Sequence, residues 1–351
     1  MRKKIIKLKK LRLFRGIKNE ESGAVVVIVA VALVVFMSLL ALVIDLGIAY
    51  LDTGEIQKAA DAAVYSAGRQ LPVDTEDTPA INAIKDSAIH YASLNGSQNL
   101  TRDNISLGKS VRNKFTDKYQ FTELKVTITK SVPMVFAKTF GVNSIDISRS
   151  AAAKLSPVNR TTGLAPIGLT KTDMEARIAS NQLTQLTHVT LKYGVHDGAQ
   201  SFFGALDLDG QGGGANDYRI WIAQGYEGEI SVGDVLLKED GAMKTPTYQG
   251  FITRYNGCTH FGAQTGGDGC TIDHFDPNCS RIVKVPIYSL GVDKNTVVVE
   301  GFAAFLLESQ TNDGFITGSF INIISSGTSS GEDVTDTGNA DFGVYGLMLS
   351  E

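Results

Sequence analysis

The feature that most restricts this chain is an unbroken apolar run. Residues Ala24 to Ile44 read AVVVIVAVALVVFMSLLALVI, 21 residues without a charge. As an α-helix rising 1.5 Å per residue they span about 30 Å, the thickness of a bilayer's hydrocarbon core. Ser38 is the one polar side chain in the run, and a helix lets such a hydroxyl bond its own backbone. A soluble core rarely uses that length of apolar surface on every side. The run therefore reads as a transmembrane helix. A cleaved signal sequence has a shorter apolar core of about 7–15 residues, closed by a small-residue cleavage site. Here the run is longer and Asp45 follows it directly, so an uncleaved anchor is expected.

The flanks set the expected orientation. Residues 1–22 hold nine Lys and Arg against Glu20 and Glu21, a local charge of 9 − 2 = +7; the whole chain is −4, so the remainder carries −4 − 7 = −11. After the span, the first basic side chain is Lys58. Lysine and arginine stay on the cytoplasmic side of a span. Residues 1–22 are then a cytoplasmic basic tail facing anionic lipid, with the lipid bilayer rather than nucleic acid as its partner. The expected location is the cell membrane, single-pass, with the N-terminus cytoplasmic and the C-terminal bulk extracellular.

Beyond Ile44 the helical pattern continues to Pro72, which closes it. Ala49, Thr53, Ile56, Ala60, Ala63 and Ala67 recur at steps of four and three, one helix face made mainly of small residues. Small residues let two backbones approach closely. Two readings compete: the helix packs on its own globular domain, or Ala49, Ile56, Ala60, Ala63 and Ala67 form a partner-helix packing face. Asp45 and Gly47 mark the membrane exit.

These residues carry a family resemblance. The Gly23-Ala24 entry, the apolar span, Asp45 with Gly47 at its exit and the block QKAADAA at 57–63 resemble the N-terminal Tad module of TadE/TadG-like Flp pilus-assembly proteins over residues 22–71. Lys58 stands where members of that family often have Asn. KVTITKSVPMVFAKTFGVNSIDISRSAAAKL, residues 125–155, is similar to the same family's ending of strand, short helix and strand. Processing of prepilin type after Gly16 would make Glu21 the fifth residue, as in type IV pilins, but Lys18, Asn19 and Glu20 then precede the apolar run. The resemblance implies a structural protein and no enzyme: a minor pilin, pseudopilin or scaffold of a Flp/Tad-type pilus. It implies no cofactor, and other pilus or secretion-system subunits or further copies of the chain as partners. A cell-surface binding or adhesion protein using the same anchor outside a pilus is the alternative. An extracellular metal-dependent enzyme is a third reading.

The expected fold class is α+β: a transmembrane helix extended into a pilin-like α+β head, then a Gly-rich, mostly-β domain. The boundaries are a helix over 23–71, a head over 72–155, a linker at 156–163 and an extracellular β-rich domain over 164–351. In the head, Ala80–Leu94 reads as a helix stopped by Asn95-Gly96. Val126 and Ile128 belong to a half-buried strand, and Val135, Phe136 and Phe140 to a short helix ending at Gly141. Beyond the linker, 28 of the 36 glycines lie at or after Gly163. Alternating runs at Leu186–Tyr193, Glu229–Leu237, Thr247–Tyr255, Arg281–Leu290, Thr296–Leu307 and Phe315–Ile324 read as strands of a sandwich or barrel. Helices are expected near Thr172–Asn181 and Asn216–Gly225.

Two segments carry candidate chemistry. Cys258, His260, Cys270, His274 and Cys279 fall in one loop poor in aliphatic residues. Such a loop needs a staple to offset its ordering entropy. In an extracellular setting a disulfide is expected, with Cys279 as a member because it leads into a strand. Zinc is one alternative, since Cys and His are its usual structural ligands; reduced structural thiols are the other. In DLDGQGGGAND, Asp207, Asp209 and Asp217 are calcium-loop candidates, but position twelve is Tyr218 where an EF-hand needs Glu. GTSSG at 327–331 and DISRS at 146–150 imitate nucleophile-elbow and metal-site strings without the strand-helix context those sites require.

Overall fold

The structure, a computed structural model, describes residues 20–180, 186–193, 202–212, 214–239, 243–310, 315–334 and 341–350. Most of the basic tail, residues 1–19, lies outside the described residues. The chain divides into two compact units: residues up to Glu55 with Thr129–Ser148, and Ile56–Ile128 with Arg149–Glu351.

The longest element is helix α1, Glu20–Gly68, of 49 residues, about 74 Å at 1.5 Å per residue. No proline interrupts it. Over the apolar run its side chains are exposed on every face, among them Val26, Ile28, Val34, Phe36 and Leu40. A helix that is hydrophobic all round requires an apolar medium. Among the described residues it is the one helix long and apolar enough to cross a membrane. The Ser38 hydroxyl donates to the Val34 carbonyl at 2.8 Å, so the run contains no unsatisfied side chain. Within the first unit, the end of the strand Tyr119–Pro133 leads into a 3₁₀ turn, Ala137–Phe140. Gly141 closes the turn at φ +90°, a left-handed conformation that glycine reaches without strain. The chain then returns in the strand Ser144–Thr161. Lys130 pairs with Asp52 at 2.8 Å and reaches Glu55 at 3.8 Å.

In the second unit, the C-terminal part of α1 meets an eight-stranded sheet. Its central path runs Val73–Asp74, Tyr119–Pro133, Ser144–Thr161, Val344–Ser350 and Ile323–Ile324, and Ile105–Arg112 pairs with Tyr119–Pro133. A methyl group at Gly68 would sit 3.1 Å from both Ala153 and Leu347, so helix and sheet approach closely there. The Ser66 and Ser87 hydroxyls lie 3.1 Å apart, which brings α2 (Thr78–Leu94) alongside α1. Asp77 caps α2, its carboxylate accepting from the Ala80 N–H. Ile56, Ala60, Ala63 and Ala67 are buried here, as is Ala49 in the first unit. Of the two readings of this small-residue face, the burial favours packing on the chain's own body.

The second sheet has seven strands, in the order Ile282–Leu290, Ile167–Thr170, Phe202–Asp207, Val189–Tyr193, Phe315–Ile321, Thr296–Gln310 and Val235–Lys238. Pairing of Ile282–Leu290 with Thr296–Gln310 closes the path on itself, in keeping with the barrel-like expectation. Helices α3 (Lys171–Ala179), α4 (Gly214–Gln224) and α5 (Lys244–Asn256) accompany it. Its core includes Ile167, Met174, Tyr218, Phe251, Phe305 and Phe320.

Two boundaries differ from expectation. Thr247–Tyr255 is helix, not strand. Its buried residues Thr247, Gly250, Phe251 and Arg254 follow the helical period, and Gly250 gives α5 room beside Ile222, whose atoms would lie 2.4 Å from an added methyl group. Residues 156–161, expected as part of a linker, continue the strand Ser144–Thr161. The buried Ser156 hydroxyl accepts from the Gly331 N–H at 3.1 Å, and Thr161 donates to the Ser326 carbonyl at 3.1 Å. Polar side chains that read as loop composition are satisfied inside the body.

Lys284 supplies a test of this packing. Its ammonium donates to the Thr162 carbonyl at 2.5 Å and to Ser325 and Thr161 hydroxyls at 2.9 and 3.2 Å. Burial, and then the charge of Arg254, push its pKa from 10.5 down to about 8. The folded state thus releases a proton that the unfolded chain retains between those values. Stability contributed through Lys284 is expected to rise as pH increases from 8 towards 10.5. Urea melts of the detergent-solubilised protein across that range should show the rise, and Lys284→Met should remove it. Parallel pH profiles for the two proteins would refute this burial of the lysine.

Candidate functional site

Directly after the apolar run, Asp45 is 1% exposed. Its carboxylate accepts the backbone N–H groups of Val135 at 2.9 Å, Phe136 at 3.1 Å and Ala137 at 2.7 Å. These are the open amides at the start of the turn Ala137–Phe140, the groups any helix start leaves unsatisfied. An acid one residue beyond the apolar run therefore fastens a turn far along the chain. Around that turn Val135, Phe136, Phe140 and Val142 are exposed, Phe140 by 77%. Gly47 is exposed, with open space where a side chain would begin. Asp45→Ala is expected to free the turn, making residues 134–142 the first site cut in limited proteolysis of the solubilised protein. An unchanged cleavage pattern would show that the carboxylate does not hold it.

The cysteine loop follows α5. Arg254 of that helix donates to the carbonyls of Ile222, Ser280 at 3.2 Å and Ile282 at 2.9 Å, and accepts from Ser280 Oγ at its own carbonyl at 2.8 Å. Those bonds fix both ends of the loop. Cys258, Cys270 and Cys279 are buried free thiols. One ligand atom from each, with one from His260, all lie within 4.8 Å of one another. His274 is not in this group; its ring lies against Phe261, with 3.7 Å between centroids. Burial opposes a Cys258 thiolate, but the backbone N–H groups of Cys270 and His260 outweigh it and bring the pKa down to about 6. Burial pushes the Cys279 thiol up to about 12. Arg281, which the sequence reading did not single out, lies over the Tyr255 ring at 4.0 Å and donates to the carbonyls of Asp268 at 2.9 Å and Tyr255 at 3.3 Å.

The aspartate loop has a different character. Asp207 is buried, and its carboxylate accepts N–H groups from Asp209, Gly210 and Gly212 at 3.3, 3.0 and 3.0 Å. Asp209 accepts the Gln211 N–H at 2.9 Å. Asp217 lies in the first turn of α4. The loop's own amides thus engage the Asp207 oxygens that a cation would need.

Comparison with known proteins decides the N-terminal part. Residues 23–70 match the family model described as "Putative Flp pilus-assembly TadE/G-like". This segment is similar to the Tad module of that family. No curated protein and no solved structure matches the chain. The matched segment covers 70 − 23 + 1 = 48 of the 351 residues, the greater part of α1. It includes the apolar span, Asp45, Gly47 and the buried stripe, and it ends before the sheets and the cysteine loop. Among the described residues one helix is long and apolar enough to cross a membrane, and it lies in the segment that matches this family of Flp pilus assembly, as expected of a membrane-anchored protein.

Proposed function

We propose that the protein is a structural or assembly component of a Flp/Tad-type pilus, a minor pilin, pseudopilin or scaffold, anchored with its N-terminus in the cytoplasm and its folded body outside. The observation that carries this reading is the Tad module at 23–70, coupled to a body that buries the far end of the same helix. Because Ile56, Ala60, Ala63 and Ala67 are buried internally, the face offered to other subunits is the opposite one, with Tyr50, Leu51, Gly54, Lys58, Asp61 and Tyr65 exposed. The exposed apolar side chains around the Asp45-held turn rest at the membrane interface, where the acyl boundary takes them out of water. Shearing filaments from cells distinguishes the roles: a minor pilin enters the sheared fraction, and a scaffold stays with membranes. The orientation has its own test. A membrane-impermeant thiol reagent should label Asn99→Cys, an exposed position of the body, in intact cells, and should miss Lys7→Cys. The reverse pattern would refute the topology.

A further inference from the structure

We infer that Cys258, His260, Cys270 and Cys279 bind one zinc ion that holds the loop between Gly257 and Arg281 in shape. The convergence of four donors is the first argument. Tetrahedral zinc, with Zn–S of about 2.3 Å and Zn–N of about 2.0 Å, sets neighbouring donors about 3.5–3.8 Å apart. The four donors here all lie within 4.8 Å, and His260 Nδ1 stands 4.0 Å from Cys258 Sγ. A disulfide joins two sulfurs at about 2.05 Å and gives no reason for a third sulfur and an imidazole to meet them. The donor set is a known structural zinc combination, and softness excludes calcium and magnesium, which take oxygen ligands.

The surroundings fit bound thiolates. Each sulfur receives backbone N–H groups: Cys270 from Asp276 at 3.4 Å, Cys279 from Arg281 at 3.4 Å, and Cys258 from Cys270 and His260. Zinc with three thiolates has a net charge of +2 − 3 = −1, and the buried Arg281 guanidinium adjoins the cluster, donating to the Asp268 carbonyl at 2.9 Å and the Cys270 carbonyl at 3.5 Å. The far nitrogen of His260, Nε2, faces the Asp276 carboxylate at 3.9 Å, the arrangement that orients a metal-bound imidazole. All three sulfurs are buried, and four protein ligands leave no open position for substrate. The site is therefore structural.

The loop has need of it. No helix or strand forms between α5 and the strand Ile282–Leu290, and Ile272 and Phe275 are its main partly buried anchors on the core. Ile272, Phe275, Pro277 and Asn278 line a cleft of about 520 Å³ together with Phe115 and Phe320, so the metal also shapes that cleft.

The test uses the full-length protein, solubilised in detergent and purified without chelator or metal-affinity resin from cells supplied with zinc. Elemental analysis should find one zinc per chain. A thiol reagent should react with none of the three cysteines until denaturant and chelator are added, and then with all three. Cobalt in place of zinc should give the visible bands of a tetrahedral thiolate site. His260→Cys keeps four soft donors, so it should retain the metal and alter those bands, while His274→Ala should change nothing. Asp276→Asn should weaken zinc affinity about 10–100-fold. One free thiol with no zinc would mean a disulfide and overturn the inference. Three freely reactive thiols with no metal would overturn it equally, as would cobalt bands unchanged in His260→Cys.

Discussion

Leucine at position 63 is expected to destabilise the folded body by about 1–3 kcal/mol, the usual cost of added methylenes in a packed interior. Ala63 has no exposed surface, and neither do Ala59, Ala60, Val64 and Ala67 around it. Five residues on, Gly68 admits Ala153 and Leu347 to within 3.1 Å of where a methyl group would stand. The enlarged side chain has nowhere to go without separating α1 from its surroundings. Urea or thermal unfolding of the solubilised protein should register the loss. Ala60→Leu should behave alike, and the double variant will not be additive, because the two sites share one face. Lys58→Leu and Asp61→Leu, at exposed positions of the same helix, should stay within about 0.5 kcal/mol of the parent. Loss of assembly with unchanged stability in Ala63→Leu would instead restore the partner-helix reading of the stripe.

A second large effect is expected within the span. Val34 lies at the middle of Ala24–Ile44 and is exposed. Arginine at the centre of a spanning helix costs about 2.5–3.5 kcal/mol on insertion. Val34→Arg should therefore deplete the protein from the membrane fraction and raise its degradation. Ser38→Ala should not, because that hydroxyl serves only its own helix. A Val34→Arg protein that stayed soluble and folded, or remained in the membrane at full yield, would contradict the spanning role.

The long helix was legible in the sequence because its signal is composition over length, which no tertiary contact needs to supply. The stop at Gly141 was legible because a left-handed residue favours glycine. The strand at 156–161 was not. Ser156, Pro157, Asn159 and Thr161 have loop composition, and only partners near 326–331 and 345–347, far away in sequence, make them a strand. Thr247–Tyr255 misled for a related reason. Over nine residues its apolar positions fit either period, and the deciding contact, Gly250 on Ile222, is also remote. In the cysteine loop, the five Cys and His residues could be named from sequence, but which four meet could not. The separation of His260 from His274 depends on the path of a turn-rich chain. Arg281 gave no signal, since its role lies in the carbonyls it reaches.

The proposed role in pilus assembly is tested most directly by an in-frame deletion in the native host, complemented with the wild-type chain or with Ala63→Leu, and read by electron microscopy of surface filaments. The account predicts that filaments are lost or sharply reduced in the deletion strain, return with the wild-type chain, and return incompletely with Ala63→Leu at matched expression. Filaments of normal number and length in the deletion strain would contradict it.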